Sequence, residues 1–385
     1  MRLFRSLGVF FKKADMLLLA LCLAASLFGV VVLSSTTRYL GSSHYVLTQL
    51  LAITLGVALY IALTLFDVEI LVGHSTALFV FNLIFISTLF LWGVAGNTGN
   101  RSWLSFSWLP FSIQPAEICK ITFILIQAGI MRNRQRSISE PRSMVLLAAH
   151  LAVTVGLILI ASDDFGVALI YVFVFLLMCF TGGVSRYWFL SGAALMALAA
   201  PLLWFVILRQ DQKNRIIALF DPTIDPSASG VRWQTNLSLR AIRGGGLTGQ
   251  GLYCGDLVQA GANPQQHNDF VFSSIAEELG VVGCVLTMLL LAAIVVRCLY
   301  VGAKSGSYLN RQICVGIAGM LVFQITVNVG MCLGLFPVVG LTLPFISSGG
   351  SSIVASFFAV GLVSGIRMHP TSDSAARYVR PPRPG

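Results

Sequence analysis

Asp269 is the residue of this chain best placed to do chemistry. It sits in the run His267-Asn268-Asp269-Phe270, at the end of a polar segment, 209–272, that holds five Asp and six Lys/Arg in a chain only 10% charged. A carboxylate directly before an apolar run has two readings. It can cap the following helix by accepting from open backbone N–H groups, with Glu277 and Glu278 suited to the positive end of that helix. It can also take a proton from a substrate held at a membrane surface. Spacing leaves both open, and they are compatible. His267 is likewise either a surface imidazole or a partner base.

Three further groupings carry polar chemistry. In Gln114-Pro115-Ala116-Glu117-Ile118-Cys119-Lys120, Pro115 opens a helix and Glu117 and Lys120 are i,i+3 neighbours. A Glu–Lys pair at membrane depth is costly unless paired. It either holds helices in register or forms the polar wall of a groove. Arg101 and Trp103 just upstream make an interfacial anchor or part of the same wall. The basic set Lys213, Arg215, Arg232, Arg240 and Arg243 is either a solvated face or a cradle for phosphate oxygens, which suit paired guanidinium donors. The N–H groups of Gly244, Gly245, Gly246, Gly249 and Gly251 are available to assist it. Near the end, Asn328, Pro337, Gly340 and Leu343–Ser352 break the apolar pattern, either for close helix packing or to line a cavity. Asn328 needs a hydrogen-bond partner in both cases.

The elements that must position these residues are membrane helices. Of 385 residues, 56% are hydrophobic and the mean hydropathy is +0.85, which excludes a water-compatible surface. Windows of about 20 apolar residues fall at 16–34, 45–66, 77–96, 112–131, 144–161, 164–182, 187–208, 272–297, 312–336 and 342–366. The fold class expected is an all-α polytopic membrane protein of about ten transmembrane helices, with one long extracytoplasmic loop, 209–272, between helices 7 and 8. The Asp163-Asp164 pair marks the turn where one long hairpin competes with two full spans. Within the loop, Trp233–Ile242 predicts a short interfacial helix.

Basic residues cluster at both ends and in alternate loops, which places both termini in the cytoplasm. The net charge of +10 reads as topology and attraction to anionic lipids, not as nucleic-acid binding. The domain reading is one transmembrane unit over 1–368 with a disordered cytoplasmic tail over 369–385. The eight cysteines contain no C-x-x-C pair, so neither a zinc site nor a disulfide framework is expected.

Together these motifs resemble the SEDS family (shape, elongation, division and sporulation), which includes FtsW, RodA and SpoVE. The resemblance spans about 15–368. The family's R-x-W and I-Q-P-S-E-x-x-K appear as Arg101-Ser102-Trp103 and Ile113-Gln114-Pro115-Ala116-Glu117 with Lys120. Its H-T-D-F-I-F and E-E-L-G appear as His267–Phe272 and Glu277-Glu278-Leu279-Gly280, and its L-P-F-x-S-Y-G-G-S-S as Leu343–Ser352. Three positions depart: Q-P-D-L-G-T reads Ser162-Asp163-Asp164-Phe165-Gly166-Val167, Asn268 replaces a Thr, and Ser348 a Tyr.

The resemblance implies a peptidoglycan glycosyltransferase of the bacterial cytoplasmic membrane. Such an enzyme polymerises lipid II onto a nascent glycan strand alongside a class B penicillin-binding protein, in division, elongation or sporulation. It implies Asp269 as catalytic base and Arg101, Glu117, Lys120, Asp164, Arg215 and Gln234 as substrate-binding positions. No cofactor is required, and a divalent cation such as Mg or Mn is compatible with the chemistry. The alternatives are a flippase or transporter of a lipid-linked cell-wall precursor and a scaffold for division or elongation proteins.

Overall fold

In hydrocarbon, a backbone satisfies its own polar groups by closing into helices. The computed structural model of the chain is accordingly helical, and it describes residues 13–94, 101–221, 230 and 232–370. In order these are α1 (Met16–Thr36), α2 (His44–Leu65), α3 (Val68–Gly73), α4 (Ser75–Trp92), α5 (Pro115–Asn133), α6 (Pro141–Ser162) and α7 (Phe165–Thr181). There follow α8 (Arg186–Leu202), α9 (Gln210–Ile217), α10 (Trp233–Gly245), α11 (Asp256–Gln259), α12 (Val271–Lys304), α13 (Tyr308–Cys332) and α14 (Gly350–Met368). The strands are a two-residue antiparallel pair, β1 (Gly93–Val94) and β2 (Trp103–Leu104).

Each of the ten apolar windows overlaps one of these helices, with bounds that differ by up to eight residues at 342–366, where α14 starts at Gly350. Among the described residues, eight helices are long and apolar enough to cross a membrane: α1, α2, α4, α6, α8 with its continuation to Val206, α12, α13 and α14. α7 is shorter at 17 residues. α5 has the length but carries Glu117, Lys120 and Arg132. The Asp163-Asp164 turn separates two helices, because Asp163 adopts the left-handed conformation at φ 55° and ends α6. The protein is a multi-pass membrane protein.

One end of the bundle is fastened by Asp15. Its fully buried carboxylate meets Arg297 of α12 and Arg367 of α14, each at 2.9 Å. The Asp15 carbonyl accepts from Tyr60 of α2 at 2.8 Å, and its N–H donates to Ser364 at 3.1 Å. Four helices therefore converge on one residue, and both ends of the described chain lie at this end. The opposite end carries Thr36, whose carbonyl accepts from Gln266 Nε2 at 2.8 Å, together with Gln114, Asp164 and Asp269.

The segment between α8 and α12 folds over that opposite end. The interfacial helix extends to Gly245, three residues past its predicted stop, with Trp233 partly exposed at its start. The glycine-rich stretch after it is bonded to α12. The N–H groups of Gln250 and Gly251 donate to the Glu277 and Glu278 carbonyls at 2.9 Å, and the carbonyl of Gly246 accepts from Val281 at 3.0 Å. This stretch splints a break in α12 at Gly280, where φ is 65° and ψ −163°. A helix interrupted there leaves backbone groups that the glycine-rich strand satisfies.

Candidate active site

The segment before α12 is shaped by hydrogen bonds to three consecutive carbonyls. The carbonyl of His267 accepts from the Ser348 N–H at 2.9 Å. That of Asn268 accepts from Ser347 Oγ at 2.6 Å. That of Asp269 accepts from Asn328 Nδ2 at 2.9 Å, with Cys332 Sγ 3.7 Å away. The donors come from α13 and from the non-helical segment 333–349, so the expected break before α14 is present. Gln49 of α2 fixes that segment in turn, donating to the Ser347 carbonyl at 3.1 Å.

With its backbone held, Asp269 leaves its carboxylate uncommitted. The residue flanking α12 is Phe270, and no side chain caps that helix, so the capping reading of Asp269 is not realised. Among the described residues, no group donates to its carboxylate. The side chain is half-buried and lies against Gly340, where a Cβ would sit 3.6 Å from Oδ2. Burial, and secondarily the charge of Asp164, pushes its pKa from 3.8 up to about 7. A carboxylate near neutrality with free lone pairs can accept a proton.

Asp164 is different in kind. It caps α7, accepting from the Val167 N–H at 3.1 Å. Its Oδ2 accepts from Gln114 Nε2 at 3.1 Å and Ser102 Oγ at 3.4 Å. Burial raises it to about 6 against these bonds, with Glu117 and Asp163 adding repulsion. One turn into α5, Lys120 Nζ meets Glu117 Oε2 at 2.7 Å with both side chains buried. Tyr171 of α7 donates to the Ala116 carbonyl at 2.9 Å, and Ser351 of α14 accepts from the Gln114 N–H at 3.1 Å. The starts of α5, α7 and α14 thus gather Glu117, Lys120 and Asp164 into one polar wall.

The remaining expected positions are arranged around this centre. Arg215, exposed on α9, donates through Nη1 to the Val338 carbonyl at 3.0 Å, two residues from Gly340. Arg101 is exposed beside Ser102 and has no ion pair among the described residues. Gln234 is half-buried in α10, one turn before Ser238, which bonds the Cys332 carbonyl at 2.8 Å. Lys213, Arg240 and Arg243 remain on exposed or half-buried surface of α9 and α10. His267 is buried, its ring edge-on to Tyr45 at 4.9 Å, and burial lowers its pKa.

Glu277 and Glu278 have structural partners. Glu277 accepts from the Leu257 and Val258 N–H groups at 2.7 and 3.0 Å, capping α11. Glu278 accepts from Ser35 at 2.6 Å and Gln259 at 2.9 Å, tying the loop to α1. Sequence reasoning did not assign Gln114, Ser102 or Ser347 a role at the site. Each lay inside a motif already marked, but a motif does not say which of its members faces a carboxylate.

A model of the Cell cycle protein family FTSW_RODA_SPOVE matches residues 13–372. The chain belongs to that family. It is 30% identical over 365 residues to the probable peptidoglycan glycosyltransferase FtsW of Geobacter metallireducens, covering 91% of this chain and 94% of that one. It is 29% identical to the peptidoglycan glycosyltransferase MrdB of Escherichia coli K12, covering 92% of both. A structure solved in work on "Structural coordination of polymerization and crosslinking by a peptidoglycan synthase complex" superposes with a TM-score of 0.78 at 29% identity, covering 92% of this chain and 97% of that one. Family and fold therefore agree over nearly the whole described chain.

Proposed function

We propose that this protein is a peptidoglycan glycosyltransferase that polymerises lipid II, with Asp269 as its general base. The observation that carries the reading is an uncommitted carboxylate on a clamped backbone, at the polar end of a membrane bundle of this family. The acceptor sugar hydroxyl gives its proton to Asp269 as its oxygen bonds to the donor's anomeric carbon. The bond from that carbon to the pyrophosphate oxygen breaks, and the undecaprenyl pyrophosphate leaves with the electron pair. Pyrophosphate is a stable leaving group, so no second carboxylic acid is needed, unlike most glycoside hydrolases. One displacement inverts the anomeric centre.

Charge on the departing pyrophosphate calls for cations. Lys120, held by Glu117, and Arg101 and Arg215 at the rim are the candidates on this chain, with Asp164 and Gln234 binding sugar or phosphate groups. Among the described residues no three His, Cys, Asp or Glu side chains converge as a metal cluster. A divalent cation would be shared with the substrate's phosphates, with Asp164 the carboxylate beside them. The site end faces outward from the bacterial cytoplasmic membrane and the Asp15 end faces the cytoplasm with both termini, as the basic loops favour. The partner proposed is a class B penicillin-binding protein.

The test is polymerisation of lipid II by purified protein with its penicillin-binding partner. Asp269→Ala should lower the rate by roughly 10²–10⁴-fold, the usual worth of a general base. Polymerisation at the parent rate removes Asp269 from the chemistry. Translocation of labelled lipid II in vesicles without polymer would favour the flippase reading.

A further inference from the structure

Asn328 lies on α13, far in sequence from the segment it holds, and is fully buried. Its Nδ2 donates both available hydrogens: one to the Asp269 carbonyl at 2.9 Å, the other to the Leu341 carbonyl at 2.7 Å. An amide has two N–H donors and no more. The rotated amide would set an oxygen against two carbonyl oxygens, so this orientation is fixed by the surroundings. The opposite atom, Oδ1, is buried without a partner. A buried acceptor left unpaired costs about 1–3 kcal/mol, so the side chain is retained here for its donors.

Those donors tie together the two backbones that shape the Asp269 pocket. Leu341 follows Gly340, the residue against which the carboxylate lies. Ser347 performs the same task one residue upstream, accepting from the Leu343 N–H at 2.8 Å and donating to the Asn268 carbonyl at 2.6 Å. We infer that Asn328 and Ser347 are positioning residues for the general base. They set its carboxylate by fixing the carbonyls of 268 and 269 to the 341–347 segment, and their own hydrogen bonds go to backbone groups, not to the carboxylate. This rests on the reading of Asp269 as base.

The same geometry accounts for two departures from the family's pattern. Position 348 contributes its backbone N–H and position 268 its carbonyl, so Ser for Tyr and Asn for Thr leave the clamp intact.

The experiment compares Asn328→Ala, Ser347→Ala and Asp269→Ala in the full-length protein with its partner, measuring kcat, KM for lipid II, melting temperature and the pH profile. Each clamp variant should lower kcat by roughly 10- to 100-fold, the scale of a small misplacement, with KM within about twofold by the same reasoning. The acid limb of the profile should also move to lower pH, because a loosened carboxylate meets more water. The titratable and charged groups around it are Asp164 on the α6–α7 turn, Cys332 on α13 and His267 on its own segment, with Arg215 of α9 bonded nearby to the Val338 carbonyl, and none is altered. A purely structural role would scale the whole profile without moving its midpoint, and that outcome overturns the inference. Should Asn328→Ala fail to fold, Ser347→Ala decides, since it leaves α13 untouched. If Asp269→Ala is inactive while both clamp variants match the parent, positioning fails and the base stands. If Asp269→Ala is active, the base reading itself fails.

Discussion

Replacing Asp164 with Asn should make the base easier to ionise. The substitution keeps the shape and one oxygen to cap Val167, while removing one negative charge; the NH2 that replaces the second oxygen donates to Gln114 once that amide turns its own oxygen inward. Asp269 stands at about 7 rather than 3.8 for two reasons, burial first and the Asp164 charge second. The whole elevation corresponds to about 4 kcal/mol in favour of the neutral acid, at 1.36 kcal/mol per tenfold. The smaller cause accounts for less than half, so removing it should lower the apparent pKa by at most about 1.5. The sign follows directly: a base works deprotonated, so activity falls as pH drops through its pKa, and a lower pKa moves that fall to lower pH. The quantity to compare is the midpoint of the acid limb in parent and variant. Initial rates of lipid II polymerisation from pH 5 to 9 would give it, whatever the maximal rate. A midpoint that stays, or rises, would mean that Asp164 does not act on the base through its charge.

Two further substitutions test the scaffold. Glu117→Gln or Lys120→Met alone leaves one buried charge without its partner and should cost about 3–5 kcal/mol, read as lost thermal stability in detergent. The double variant should recover most of that stability yet remain inactive if Lys120 serves the leaving pyrophosphate; full activity would make the pair structural only. Gly280→Ala should be strongly destabilising, because φ is 65° there and its Cβ would clash with Gly249 N and Leu247 O. The strained backbone alone accounts for about 1–3 kcal/mol, and an unchanged melting temperature would contradict the splint.

Helix positions were legible because hydrocarbon permits little else, and every apolar window of about 20 residues overlaps a helix, although 342–349 at the head of the last window is non-helical. α5 was legible for the opposite reason: a charged pair inside an apolar run needs a protein-lined place. What the sequence could not reveal was pairing across long separations. Nothing local to Asn328 says that its amide meets residues 269 and 341, and nothing local to Asp15 says that Arg297 and Arg367 complete it. The glycines at 244–251 were read as available to assist a phosphate cradle, and the local sequence does not show that the Glu277 and Glu278 carbonyls, which accept from Gln250 and Gly251, become available where α12 breaks. Asp269 itself was ambiguous between cap and base, and the ambiguity was physical. An aspartate before a helix usually caps it, and here the helix begins one residue later with its carboxylate turned aside.

The Asp15 clasp has a consequence for how the chain is made. Asp15 enters the membrane with the first helix, but Arg297 is 282 residues further on and Arg367 belongs to the last helix. The clasp is therefore assembled in steps: the acid gains one guanidinium partner when α12 is made and the second only with α14. A chain broken off before α14 would hold its opening helix by a single ion pair.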